Sequence, residues 1–264
     1  MTEKTKLIDV SKCTGCRGCQ LACKQWNQQP ARQTENRGTY QNPPDLQWNT
    51  WTLIRFQEIA DSKSGAVKWL FRKDGCMHCT DAACVKVCPS AALYYTDFGT
   101  VALNRERCIG CKECVSACPF DIPRYNRDTD KITKCDLCLS RIAADLPPAC
   151  VKACPTGALR FGDKKAMLKA AYKRAEELGG DANVYGDKFV DGTHVVYVLN
   201  EKPGVYDELP KHPSVPLSII VWKDLLKPLS LLAAGGVLAG SFLHYIIHGP
   251  KTPDDDVNTK EGGE

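Results

Sequence analysis

Residues 108–119 read CIGCKECVSACP, and the spacing of the cysteines in this stretch governs how the rest of the chain is read. Cys108, Cys111, Cys114 and Cys118 stand as C-x2-C-x2-C-x3-C, followed by Pro119. Cys13, Cys16, Cys19 and Cys23 repeat that pattern near the N-terminus. Two more quartets vary it: Cys76, Cys79, Cys84 and Cys88 as C-x2-C-x4-C-x3-C, and Cys135, Cys138, Cys150 and Cys154 with eleven residues between the middle pair. Together they use all 16 cysteines of the 264-residue chain. Pro89 and Pro155 also close their quartets, and the text that follows, SAAL at 90–93 and TGAL at 156–159, is nearly the same. Such self-similarity points to a duplicated module.

The spacing points to iron–sulfur ligation. A C-x2-C-x2-C loop can wrap one cluster, giving three thiolates while its backbone N–H groups face the sulfides. A cysteine three residues further on sits on the departing helical turn and reaches a different cluster, as in two-cluster ferredoxins. A proline there has no N–H to satisfy and sets the chain's exit. Sixteen thiolates match the need of four [4Fe–4S] clusters, with no ligand missing as a [3Fe–4S] centre would show. Disulfide scaffolds are shorter and irregularly spaced. Zinc ribbons use separated pairs, not four cysteines within eleven residues.

Quartets two and three are 19 residues apart, and the runs 92–95 and 100–103 flank a Gly-containing turn, which predicts a hairpin between them. The expected fold is α+β: two bacterial ferredoxin-like modules related by a pseudo-twofold, plus one C-terminal transmembrane helix. Module A takes residues 1–71 and 131–162, and module B takes 72–130. On this reading the clusters are Cys13, Cys16, Cys19 with Cys154; Cys135, Cys138, Cys150 with Cys23; Cys76, Cys79, Cys84 with Cys118; and Cys108, Cys111, Cys114 with Cys88. Sequential pairing of one with two and three with four stays open from spacing alone, though 52 residues separate the first two quartets.

Beyond the quartets, Asp163 is expected to cap a helix over 164–178, with Met167, Leu168, Ala171, Ala175 and Leu178 on one face and Gly179 ending it. Residues 194–199, HVVYVL, read as a strand, and 32–48 as an irregular surface insertion. The domain reading runs on through an extension and linker (163–216, proline-rich from 203), an anchor (217–248) and an acidic tail (249–264). Residues 228–247 are twenty positions without Asp, Glu, Lys or Arg, about 30 Å of helix and one bilayer core. The N-terminus has no apolar signal region and the chain no Arg-Arg pair, so no export signal of its own is read. The net charge of +4 is spread out, which disfavours nucleic acid. No nucleophile, acid–base pair or phosphate loop stands out, so no catalytic residue is assigned.

The text around the quartets resembles the iron–sulfur (β) subunit of membrane-bound respiratory formate dehydrogenase, within the four-cluster subunits of molybdopterin oxidoreductases. The resemblance is carried by CTGC at 13–16, WTLIRF at 51–56, RKDGCMHC at 72–79, CPFDIPR at 118–124, CVKACPTG at 150–157, GTHV at 192–195 and FLHY at 242–245. It implies a non-catalytic electron-transfer subunit that takes electrons from a Mo- or W-pterin formate-oxidising subunit. A membrane cytochrome b subunit would receive them and reduce quinone, with lipid around the anchor. It further implies an inner-membrane location with the main domain periplasmic, exported with the catalytic partner. Lys211, Lys223 and Lys227 before the anchor against Lys251 and Lys260 after it lean by one lysine toward the cytoplasmic-facing alternative. The other readings are the same role in a hydrogenase or in a polysulfide, nitrate or sulfoxide reductase, or a free polyferredoxin.

His78, inside a quartet, is read as a packing residue or as a donor that tunes a cluster. Lys86 and Lys152 occupy matching places and are read as tuning charges or as solvated residues. His244 and His248 share a helix face at the membrane boundary; haem ligation and a plain interfacial role are both readings of them. Gly235, Gly236 and Gly240 allow close approach of another helix.

Overall fold

The computed structural model describes residues 2–60, 65–221 and 226–249. The larger unit, Met1–Pro216, begins with β1 (Lys4–Asp9), α1 (Gly18–Trp26) and the long antiparallel hairpin of β2 (Thr52–Ala60) and β3 (Val67–Gly75). Next come α2 (Ala83–Lys86), the hairpin β4 (Leu93–Tyr95) and β5 (Val101–Leu103), α3 (Glu113–Ala117) and the hairpin β6 (Arg124–Asn126) and β7 (Lys131–Thr133). The unit closes with α4 (Leu139–Ile142), α5 (Ala149–Lys152), β8 (Leu159–Asp163), α6 (Lys164–Leu178), β9 (Asn183–Tyr185) and β10 (Val195–Leu199).

The hairpin between quartets two and three, the helix over 164–178 and the strand near 195 follow the sequence expectation. The fold class does too: mixed α and β elements around the paired quartets, with a C-terminal apolar helix. The pattern of α6 explains its place: Met167 and Ala171 are buried against Leu7, Val196 and Val198, with Leu168, Ala175 and Leu178 at the margin. Those three sheet residues belong to a four-stranded sheet ordered β8-β1-β10-β9, in which β1 runs parallel to β10 and antiparallel to β8. The opposite face of that sheet sends Ile8, Val195, Tyr197 and Leu199 into the main core. Strands buried on both faces read as continuous apolar runs, which HVVYVL is.

Two local expectations change. Asp163 stands at the N-cap of α6 but its carboxylate caps nothing; it accepts from Thr2 and from Lys4 Nζ at 2.7 Å, because β8 delivers it beside the start of β1. Residues 203–216 are not a free linker. Tyr206 and Leu209 are buried in the main core, and the Tyr185 hydroxyl donates to Pro210 O at 2.6 Å. Neither β1 nor the β2–β3 hairpin was expected, although Leu53, Ile54 and Leu70 make that hairpin's base part of the core. The insertion 32–48 is irregular and mostly exposed, as expected, with Leu46 buried as its anchor.

The smaller unit, Leu217–Glu264, holds α7 (Leu217–Ile220) and α8 (Lys227–His248). The 22 residues of α8 span about 33 Å at 1.5 Å each. It is the one helix among the described residues long and apolar enough to cross a membrane. His244 and His248 stack with ring centroids 4.3 Å apart, so they do share a face, and a Cβ on Gly235, Gly236 or Gly240 would meet nothing within 4 Å. The acidic tail from residue 250, and Lys223, Lys251 and Lys260, lie outside the described residues.

Candidate metal centres

The four quartets fold as two kinds of loop, each used twice. In quartets one and three a positive-φ glycine, Gly15 (67°) or Gly110 (70°), precedes the second cysteine. A basic residue, Arg17 (60°) or Lys112 (64°), then starts the following helix from the left-handed region. Quartets two and four share another motif: the left-handed residues His78 and Leu137 before their second cysteines, and the identical helices α2 and α5, both ACVK. Cys88 Sγ and Ser90 Oγ are 3.7 Å apart, as are Cys154 Sγ and Thr156 Oγ1, so the repeated text after the prolines also performs a repeated contact. α1 packs against α5 and α2 against α3. Quartet one therefore lies on quartet four, and quartet two on quartet three.

None of the sixteen cysteines forms a disulfide, and their neighbours run across quartets. Burial pushes Cys13 up, a Gly15 backbone N–H opposes this, and the sulfurs of Cys154 and Cys16 add to the rise. Cys23 is driven to about 12 by burial and then by Cys135 and Cys150. Cys79 rises with burial and with Cys76, Cys118 and Cys84 around it, and Cys114 reaches about 12 through burial and then Cys111, Cys88 and Cys108. The charge of Cys150 acts on Cys19, that of Cys76 on Cys135 and that of Cys114 on Cys84, so electrostatic coupling runs through all four quartets as one series. Its end members carry the two exposed cysteines, Cys16 and Cys111.

These donors fit a cluster better than a single ion. A tetrahedral zinc brings sulfurs to about 3.8 Å of one another, given Zn–S bonds near 2.3 Å. Among the described residues no three His, Cys, Asp or Glu side chains converge on one ion position. Instead Cys88, Cys108, Cys111 and Cys114 line one recess, and Cys13, Cys16, Cys19 and Cys154 line another. Backbone N–H groups supply hydrogen bonds of the kind that tune cluster sulfurs. Leu137 N donates to Cys135 Sγ at 3.3 Å. N–H groups of Leu93, Ala92 and Ser90 hold the Cys88 thiol below its ordinary value against the opposing effect of burial.

Buried charge surrounds the series. Arg55 Nε meets Asp74 Oδ2 at 2.6 Å and Arg72 Nη1 meets Asp74 Oδ1 at 3.3 Å. His78 is fully buried; its Nδ1 accepts from Val101 N at 3.2 Å, and its Nε2 has no hydrogen-bond partner among the described residues. Lys86, one of the weighed tuning charges, pairs with Asp81 at 2.7 Å, and Lys152 is exposed. The sequence reading passed over Lys6, Lys73 and Lys134, all buried. The signal available was Lys73 inside the alternating strand text VKWLFRKDG.

The comparisons agree with this chemistry. Two models described as 4Fe–4S dicluster domain match residues 12–92 and 67–164, and one described as formate dehydrogenase N, transmembrane, matches 215–257. The nitrate-inducible formate dehydrogenase iron–sulfur subunit of Escherichia coli K12 is 46% identical over 262 residues, 96% of this chain and 88% of the relative. The formate dehydrogenase iron–sulfur subunit of Haemophilus influenzae is 44% identical over 264 residues, 96% of this chain and 83% of the relative. Formate dehydrogenase 2 subunit beta (cytochrome c-553) of Nitratidesulfovibrio vulgaris is 41% identical over 217 residues, 78% of this chain and 97% of the relative.

Proposed function

This chain belongs to the formate dehydrogenase iron–sulfur subunits, and from that premise we propose how its residues divide the work. It is an electron-transfer subunit of membrane formate dehydrogenase, anchored by its C-terminal helix and suited to four [4Fe–4S] clusters. The cysteines of the four sets would hold clusters that each supply a one-electron carrier along the series.

The ligand sets are Cys13, Cys16, Cys19 with Cys154; Cys135, Cys138, Cys150 with Cys23; Cys76, Cys79, Cys84 with Cys118; and Cys108, Cys111, Cys114 with Cys88. The observation that carries this assignment is the lining of the two recesses, Cys13, Cys16 and Cys19 with Cys154 in one and Cys108, Cys111 and Cys114 with Cys88 in the other. Sequential pairing would need α1 against α2, whereas α1 packs on α5. Module A is then 1–71 with 131–162, and module B is 72–130. Burial of the inner cysteines keeps water from the series, and exposure of Cys16 and Cys111 opens its two ends to partners.

The partners we assign are a molybdopterin (Mo or W) formate-oxidising subunit at the Cys16 end and a membrane cytochrome b subunit at the Cys111 end. The main domain faces the periplasm, carried there with its catalytic partner. Purification of the native complex tests the reading: about sixteen irons per chain and formate-dependent quinone reduction are expected. Far fewer irons, or reduction of quinone by another donor only, would refute it.

A further inference from the structure

Lys6, Lys73 and Lys134 are 1%, 3% and 3% exposed, and among the described residues none has a carboxylate within ion-pair reach. Burying an ammonium without a compensating charge costs several kcal/mol, so their placement needs an anion. The strand geometry shows how Lys73 comes to be alone. In the β2–β3 hairpin Arg55 stands opposite Arg72 and Leu53 opposite Asp74, on one face, while Ile54 stands opposite Lys73 on the other. Asp74 is engaged by Arg55 and Arg72 on its own face. The alternation thus separates Lys73 from that network and delivers it, buried, into the recess lined by Cys13, Cys16, Cys19 and Cys154, whose half-exposed rim also carries Arg17.

We propose that Lys73 is a fixed counter-charge shared by the first two clusters of the series, holding their reduction potentials up. The inference rests on the ligand sets above. Four thiolates, four sulfides and mixed-valent irons carry net negative charge, which deepens by one on reduction. A positive charge held beside them therefore favours the reduced form. Lys73 lines the recess beside Cys19 of the first set, and Cys150 and Cys135 of the second lie within its electrostatic reach. With no carboxylate in reach, the sulfurs lining the recess are the groups that can balance its buried ammonium. The next junction has its own cation: Lys134 Nζ donates to Cys135 O at 2.7 Å and Val101 O at 2.5 Å, close to Cys84 of the third set. Lys73 thus acts on the clusters through space, as a positioning charge and not as a ligand.

The test is a redox titration of the assembled complex followed by electron paramagnetic resonance, with Lys73→Met and Lys73→Arg. Lys73→Met keeping full iron should shift the reduction equilibrium of a cluster of the first two sets at least tenfold toward oxidised, about 59 mV for one electron. Lys73→Arg should stay within a few-fold of the parent. Full iron in Lys73→Met with all potentials unchanged would overturn the proposal. If Lys73→Met loses iron, Lys73→Arg decides: retention shows that the charge is needed, and loss in both shows a packing role and overturns it. An iron count well below sixteen in the unmodified chain would instead sink the ligand reading, so the two failures are distinguishable.

Discussion

Replacing Gly110 by alanine should abolish one cluster, while the same change at Gly15 should not, although the two glycines occupy the same place in a C-x-G-C loop. Both sit at positive φ, +70° and +67°, so alanine pays about 1–2 kcal/mol of left-handed strain at either. The surroundings make the difference. A Cβ on Gly110 would lie 2.3 Å from the carbonyl oxygen of Asp130 and 3.2 Å from its carbonyl carbon, where ordinary contact begins at 3.4 Å. Backbone must therefore retreat by about 1.1 Å, the gap between 3.4 and 2.3 Å. Asp130 is badly placed to yield, because it closes the turn between β6 and β7 at φ 54° and its carboxylate accepts from the Tyr125 hydroxyl. At Gly15 the nearest atoms are Phe56 Cε1 at 3.0 Å and Phe71 Cδ1 at 3.2 Å, ring edges that move a few tenths of an ångström by rotation. The expected result in the purified complex is loss of about four irons per chain and one resonance signal from Gly110→Ala, with both retained in Gly15→Ala. Full iron and all signals in Gly110→Ala, or equal loss in both, would refute the steric argument.

Other outcomes follow from the same geometry. Cys23→Ser should remove the same resonance signal as Cys138→Ser; matching Cys84→Ser instead would mean sequential pairing. A chain ending at Pro216 should purify without detergent and with full iron, since the core of the larger unit is made within it; aggregation or iron loss would count against that. Asp74→Asn strands Arg55 and Arg72 without their shared carboxylate, at a cost of about 3 kcal/mol. That is the low end of the range because Asp45 still meets Arg55 at 2.8 Å, and chemical denaturation of the complex measures it. Arg124→Ala removes the contacts to Asp45 Oδ2 at 2.6 Å and Leu46 O at 2.9 Å that tie down the insertion, loosening it by about 1–2 kcal/mol. Faster proteolysis confined to residues 32–48 is the sign to look for.

The cluster chemistry was legible because ligand spacing is a local property: a C-x2-C-x2-C loop means much the same wherever it stands. The proposed quartet pairing starts from a local cue of the same kind, the short hairpin between quartets two and three. The strands that knit the larger unit together were harder to see. β1 is six residues flanked by charge, and its meaning comes from lying between β8 and β10, partners some 150 residues or more away in sequence. No local periodicity contains that. Asp163 misled for a related reason, since an N-cap residue normally satisfies its own helix and here a distant Lys4 captured the carboxylate.

The buried lysines were invisible for a deeper reason. Lysine in a sequence reads as solvent, and that reading is sound as long as the interior is apolar, because an ammonium there would lose its proton or push outward. An interior built on sixteen sulfurs reverses the premise. Where thiolates and sulfides collect, the anionic side is supplied in advance, and cations become the groups that make burial tolerable. The alternation of the RKD run at 72–74 then takes on meaning: one face closes an arginine–aspartate network, and the other gives its single charge to the sulfurs. A lysine with no carboxylate in such a chain is therefore best read as a measure of where the cluster charge lies. The same logic says that a cation facing solvent, such as exposed Lys152, should shift potentials far less than Lys73, since water screens it. Equal shifts from Lys152→Met and Lys73→Met would mean that burial is not what gives the charge its leverage.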